Sequence, residues 1–106
     1  MKVALITGAS RGIGRACAVR LAADGYTVVI NYSRSEAEAL AALEEIRAAG
    51  GDGMICKADV SNPEEVREMV TLVDKTYGQI DLLVNNAGVV KDEYLLMMNP
   101  DTLDKC

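Results

Sequence analysis

Three short apolar runs set the terms on which this chain can fold. Residues 3–6 (Val-Ala-Leu-Ile), 28–30 (Val-Val-Ile) and 82–84 (Leu-Leu-Val) are continuous rather than alternating. A strand with one wet face alternates polar and apolar residues, so an unbroken run marks a strand buried on both sides. Residues 53–58 form a weaker fourth candidate. Between the runs, apolar residues recur at helical spacing. Ile13, Ala16, Cys17 and Leu21 make one stripe, and Ala39, Leu43 and Ile46 a second. Val66, Met69, Val70, Val73 and Tyr77 make the third and cleanest. Gly25, Gly50-Gly51 and Gly78 follow these helices as stop signals. Ser61 and Glu64 have the spacing of a capping box, with Pro63 in the first turn. Strands that alternate with helices predict an α/β fold: a parallel sheet with right-handed crossovers and helices on both faces.

Composition narrows the function. The chain has 106 residues, 11 Lys plus Arg against 16 Asp plus Glu, and a net charge of −5. That acidic balance argues against nucleic acid as the main partner, because phosphate backbones are met by a basic face. No apolar stretch reaches the roughly 18 residues of a membrane span. The apolar start stops at Thr7-Gly8, and no secretory core segment follows it. There is no histidine, so histidine catalysis and histidine metal sites are excluded. Cys17, Cys56 and Cys106 are odd in number and far apart, neither a zinc site nor a disulfide framework. Cys17 and Cys56 read as small buried hydrophobes. Free thiols fit a reducing, cytoplasmic setting.

The segment Thr7-Gly8-Ala9-Ser10-Arg11-Gly12-Ile13-Gly14 joins the first strand to the first helix. A phosphate at a helix N-terminus gains free N–H donors and the positive end of the dipole. The turn must be tight and let the ligand come close, which favours glycine. The alternative is a purely structural turn, but the placement between a buried strand and a helix favours a ligand. About 20 residues on, a carboxylate would take an adenosine ribose 2′-hydroxyl. Here the stretch is Asn31-Tyr32-Ser33-Arg34-Ser35, with no carboxylate. Arg34, together with Arg11 in the turn, suits a 2′-phosphate, so NADP(H) is favoured over NAD(H). At the end of the third strand, Asp59 and Val60 could read an adenine edge. At the end of the fourth, Asn85-Asn86 could tie strand ends together. By itself, an Asp or Asn after a strand is more often an ordinary turn or cap residue.

With these residues in hand, the chain resembles the N-terminal part of the short-chain dehydrogenase/reductase family over its whole length. Residues 7–14 match the family's TGASRGIG turn, Asp59-Val60 its adenine-contacting pair, and Asn85-Asn86-Ala87-Gly88 its NNAG motif. Within the family it is most similar to the branch that reduces 3-oxoacyl groups in bacterial fatty acid synthesis. The resemblance implies a Rossmann-like doubly wound sheet with strand order 3-2-1-4. It implies that Gly8, Gly12, Ile13 and Gly14 cradle a pyrophosphate, and that Ser10, Arg11, Tyr32, Ser33 and Arg34 flank the 2′-phosphate end. Asp59 and Val60 would hold the adenine, and Asn86, Ala87 and Gly88 the ribose and nicotinamide side. The implied partner is an acyl thioester on acyl carrier protein or coenzyme A. The implied assembly is a homo-oligomer, tetrameric at full length.

The family's chemistry rests on a Tyr-x-x-x-Lys pair with an upstream Ser. A lysine lowers the pKa of the tyrosine, which donates a proton to the ketone. Four residues beyond Tyr26, Tyr32, Tyr77 and Tyr94 stand Ile30, Glu36, Asp81 and Met98, none of them lysine. Residues 99–106 read as a helix start, with Asn99 as N-cap and Pro100 following. The expectation is therefore one incomplete NADP(H)-binding domain over residues 1–106, without catalytic residues and inactive as a reductase by itself. Three readings compete. The first is the cofactor-binding part of an NADPH-dependent 3-oxoacyl reductase or a related acetoacetyl-CoA reductase. The second is a non-catalytic NADP(H)-binding module. The third is another nucleotide binder, such as a methyltransferase, which Arg11 and Arg34 disfavour.

Overall fold

Strands buried on both faces need helices on both faces, and that requirement organises the molecule. The structure is a computed structural model and describes residues 1–10 and 12–86. The order is β1 (Lys2–Ile6), α1 (Gly12–Ala23), β2 (Tyr26–Tyr32), α2 (Glu36–Ala48), β3 (Gly53–Lys57), α3 (Pro63–Tyr77) and β4 (Leu82–Val84). The four strands form one sheet in the order β3-β2-β1-β4. All pairings are parallel, with Ile6 opposite Ile30 on one side and Val84 on the other. The α/β class and the strand order 3-2-1-4 are thus as expected. The helix start read at residues 99–106 lies outside the described residues.

The period of two along β1 divides the core. Val3 and Leu5 pack with Val66, Met69 and Val73 of α3. Ala4 and Ile6 pack with Ala18 of α1 and with Ala39, Leu43 and Ile46 of α2. The α3 stripe is as the spacing predicts: Val66, Met69 and Val73 are buried, and Val70 and Tyr77 pack against the same cluster. Gly78 closes α3 with a φ of 79°, a left-handed cap that favours glycine. Cys56 lies in the α3-side core, where burial pushes its thiol pKa up, while Cys17 is only half-buried.

Two local expectations are corrected. Helix α1 buries Gly14 and Ala18, not a stripe through Ile13 and Ala16, and Ile13 is 82 % exposed. Its orientation follows from backbone contact at Gly14 rather than from apolar side chains. The N-cap of α3 is Asn62, not Ser61; its side chain accepts from the N–H of Glu64 at 3.0 Å. The residue before a proline is pushed into extended backbone, which is the N-cap conformation, and Asn62 (φ −103°, ψ 111°) precedes Pro63. The reciprocal carboxylate is that of Glu65, which accepts from Asn62 Nδ2 and from the Asp59 N–H, each at 3.0 Å.

Met69 is 2 % exposed and Leu72, on the same helix, 43 %. Met69→Ala is expected to lower stability by about 2–5 kcal/mol, through lost transfer energy and the cavity left behind. Leu72→Ala should stay within about 0.5 kcal/mol. Urea unfolding of both variants checks this, and equal losses would contradict the packing described.

Candidate functional site

In a parallel sheet all carboxyl ends lie at one edge, and ligands bind where the strand order reverses. Here the reversal is at β1, between β2 and β4. The β1–α1 turn leaves the sheet there. The Thr7 N–H donates to the Val84 carbonyl at 3.0 Å, so the β1–β4 ladder runs one residue past β1. Gly8 and Gly12 then take φ values of 61° and 64°, the left-handed region that favours glycine.

Gly14 is demanded by a close approach rather than by its dihedrals. A Cβ there would stand 2.4 Å from the Gly8 carbonyl oxygen and 2.6 Å from Asn86 Nδ2. The first turn of α1 carries no acidic side chain. Its N-terminal N–H groups and dipole therefore make an end suited to an anion, with Ile13 exposed beside it.

The two asparagines at the end of β4 tie strand ends together. Thr7 Oγ1 donates to Asn85 Oδ1 at 3.3 Å. Asn86 Nδ2 donates to the Gly8 carbonyl at 3.0 Å. Both asparagines are exposed, so their outer surfaces form part of the sheet edge.

Beside the glycine turn, at the end of β2, lies a cleft of about 360 Å³ lined by Gly8, Ser10, Tyr32, Ser33, Arg34, Ser35 and Glu38. All four residues singled out there from the sequence and described in the structure (Ser10, Tyr32, Ser33, Arg34) meet around one space. Arg34 is exposed and Tyr32 buried. The Tyr32 hydroxyl faces Glu36 Oε1 at 3.5 Å. Burial first, and the Glu36 carboxylate second, push the phenol pKa above its ordinary value. Ser35 and Glu38 were not singled out. Ser35 caps α2 by accepting from the Glu38 N–H at 3.3 Å, so the first turn of α2 sits against the cleft. The Ser-x-x-Glu spacing was the available signal.

Asp59 stands exposed at the end of β3. Its Oδ1 accepts from Ser61 Oγ at 2.6 Å and from the Ser61 N–H at 3.0 Å. These bonds hold its carboxyl below the usual carboxylate range. The Val60 side chain is 7 % exposed and belongs to the α3-side core, which leaves its main chain as the part able to meet a ligand. Arg11, Ala87 and Gly88 lie outside the described residues. Among the described residues there is no cluster of side chains able to hold a metal, and no helix long and apolar enough to cross a membrane.

Comparison with known proteins agrees with this geometry. The family model described as short chain dehydrogenase matches residues 2–106. A 3-oxoacyl-[acyl-carrier-protein] reductase of Staphylococcus epidermidis is 47 % identical over 103 residues, covering 97 % of this chain and 42 % of the relative. This chain thus spans about two fifths of such curated relatives. A short-chain dehydrogenase/reductase homolog of Bacillus subtilis is 43 % identical over 90 residues, covering 85 % of this chain and 83 % of that protein. Among solved structures, a metagenomic short-chain oxidoreductase in complex with NADP aligns with a TM-score of 0.78 and 42 % identity. It covers 83 % of this chain and 39 % of its own.

Two measurements probe the site directly. Gly14→Ala forces backbone apart and is expected to cost about 1–3 kcal/mol, read as a lower melting temperature. Asp59 has a depressed pKa, so its contribution is complete above the ordinary carboxylate range and lost as pH falls through the depressed value. Ser61→Ala should move Asp59 part of the way back toward ordinary titration in a carboxyl-resolved NMR experiment, since the main-chain N–H at position 61 still donates; an unchanged midpoint would remove the Ser61 hydroxyl as the leading cause.

Proposed function

The chain belongs to the short chain dehydrogenase family, and from that premise we propose that it is the cofactor-binding part of an NADP(H)-dependent reductase of 3-oxoacyl thioesters. The observation that carries this reading is the cleft beside the glycine turn. Arg34, Ser10, Ser33 and Ser35 converge there on a space next to an anion-suited helix end. The residues present fit the cofactor. The space that a Cβ at Gly14 would fill is taken by the Gly8 carbonyl oxygen and Asn86 Nδ2, so glycine is what lets the N-terminus of α1 seat against the turn. Gly8, Gly12, Ile13 and Gly14 would hold the pyrophosphate, and Ser10, Arg11, Tyr32, Ser33 and Arg34 the 2′-phosphate end. Asp59 and Val60 would border the adenine, and Asn86, Ala87 and Gly88 the ribose and nicotinamide side. The cofactor, when bound, supplies a hydride for reduction of a ketone.

This chain's own residues bind and orient. Arg34 pairs with an anion as a guanidinium fork, and the N-terminal N–H groups of α1 are the donors that a phosphate would meet. No Tyr-x-x-x-Lys pair occurs among the 106 residues, so this polypeptide alone is expected to hold the cofactor without turnover. The 3-oxoacyl substrate on acyl carrier protein rests on the relatives' names; the cytoplasmic setting rests on the free thiols, and homo-oligomeric assembly on the family resemblance, and all three belong to the same proposal.

Glu38 supports a second reading. It is a carboxylate in the lining of the same cleft, and a carboxylate there suits the 2′-hydroxyl of NAD(H). Fluorescence titration separates the two. NADPH should bind at least about tenfold more tightly than NADH, given the strength of a charge-assisted hydrogen bond. Arg34→Asp should abolish that preference, and an NADPH-to-NADH ratio unchanged by the substitution would remove Arg34 from the site. With NADPH and an acetoacetyl thioester the chain alone should give no turnover; clear oxidation would overturn its assignment as a binding part only.

A further inference from the structure

Asn31 interrupts an apolar strand and is 2 % exposed. Its neighbours Val28, Val29 and Ile30 are fully buried, so a further β-branched residue would serve the core at position 31 as well. Burying an amide is unfavourable unless its hydrogen bonds are made, and here they are. Oδ1 accepts from the Gly8 N–H at 3.1 Å. Nδ2 donates to the carbonyls of Cys56 at 3.3 Å and Ala58 at 3.1 Å. The main-chain carbonyl of Asn31 accepts from the Ala9 N–H at 2.9 Å. One residue therefore grips two consecutive N–H groups of the glycine turn and the end of β3 immediately before Asp59.

The Gly8 peptide is also held from its other side, where its carbonyl accepts from Asn86 Nδ2. Gly8 sits in left-handed backbone that the sheet ladder does not enforce, so the side-chain bonds fix its orientation. We propose that Asn31 is a positioning residue that sets the glycine turn against the β3–α3 loop, so that both ends of a dinucleotide are met in register. This rests on the NADP(H) reading of the site. An amide suits the task because it accepts toward the turn and donates toward β3 from one rigid plane. A carboxylate accepts only, and an aliphatic side chain does neither.

The test uses the full chain with Asn31→Val, which removes the three side-chain bonds, and Asn31→Asp, which keeps the acceptor for Gly8 and loses the donor. Calorimetric titration compares NADP+ with adenosine 2′-monophosphate, which carries the adenine and 2′-phosphate but no pyrophosphate. Native-state hydrogen exchange follows the amides of Gly8 and Leu5. Asn31→Val is expected to weaken NADP+ about tenfold and speed Gly8 exchange about tenfold, as for one lost buried hydrogen bond, with adenosine 2′-monophosphate and Leu5 nearly unchanged. Asn31→Asp should weaken NADP+ while keeping Gly8 protected. Unchanged NADP+ affinity in Asn31→Val would overturn the proposal. So would a parallel loss of both nucleotides with loss of Leu5 protection in both variants, because the residue would then serve the whole fold. If the unsubstituted chain binds neither nucleotide, the NADP(H) reading fails by itself. Gly8 exchange then decides separately: faster at Gly8 alone upholds positioning, and no change overturns it.

Discussion

The contact between Gly14 and the main chain of Gly8 is the constraint on which the site depends. A parallel strand can deliver its carboxyl end to a ligand only if the helix that follows comes back over the sheet close by. With a Cβ at position 14 the Gly8 carbonyl would be 2.4 Å away, so any side chain would lift α1 off the turn. Close seating brings the N-terminus of α1 to the place where β1 meets β2 and β4, and lets Asn86 reach the Gly8 carbonyl. It also decides which face of α1 is buried: Gly14 and Ala18 pack inward and Ile13 is left in the open.

Polar side chains complete what the ladder cannot. Beyond the last paired residues, main-chain donors and acceptors still need partners. Thr7, Asn31 and Asn86 supply them across strands that are far apart in sequence, and Asn85 accepts from the Thr7 hydroxyl. Asp59, Ser61, Asn62 and Glu65 form a separate network that fixes the start of α3. The electrostatics are local in the same sense. A chain with a net charge of −5 offers no general attraction to an anion, so among the described residues an anion would be met locally, at the N-terminus of α1 and in the Arg34 cleft.

Much of the fold was legible in the sequence. Unbroken apolar runs marked buried strands, and the stripe from Val66 to Tyr77 marked α3 and its inner face. The glycine spacing marked the turn and its glycines. The less legible parts share a cause. The buried face of α1 is set by a backbone contact, and apolar periodicity does not record backbone contacts. The cap of α3 shifted to Asn62 because the following proline controls its backbone, a local rule that outweighed the Ser61–Glu64 spacing. Asn31 was visible only as one residue in a stretch at the end of β2, and its importance comes from contacts 23 to 27 residues away. Ser35 and Glu38 entered the cleft because α2 begins against it.

By itself, then, the amino-acid sequence determined the number and order of the elements, the parallel class of the sheet and the turn at which a ligand would be met. Those features follow from hydrophobic period and glycine placement, which act over a few residues. Only the tertiary structure decided the rotation of α1, the joint lining of the cleft by β1, β2 and α2 termini, and the double grip on the Gly8 peptide. These depend on distances between segments remote in the chain. Such distances are settled by close packing and by the need to pair every buried polar group, neither of which any local pattern carries.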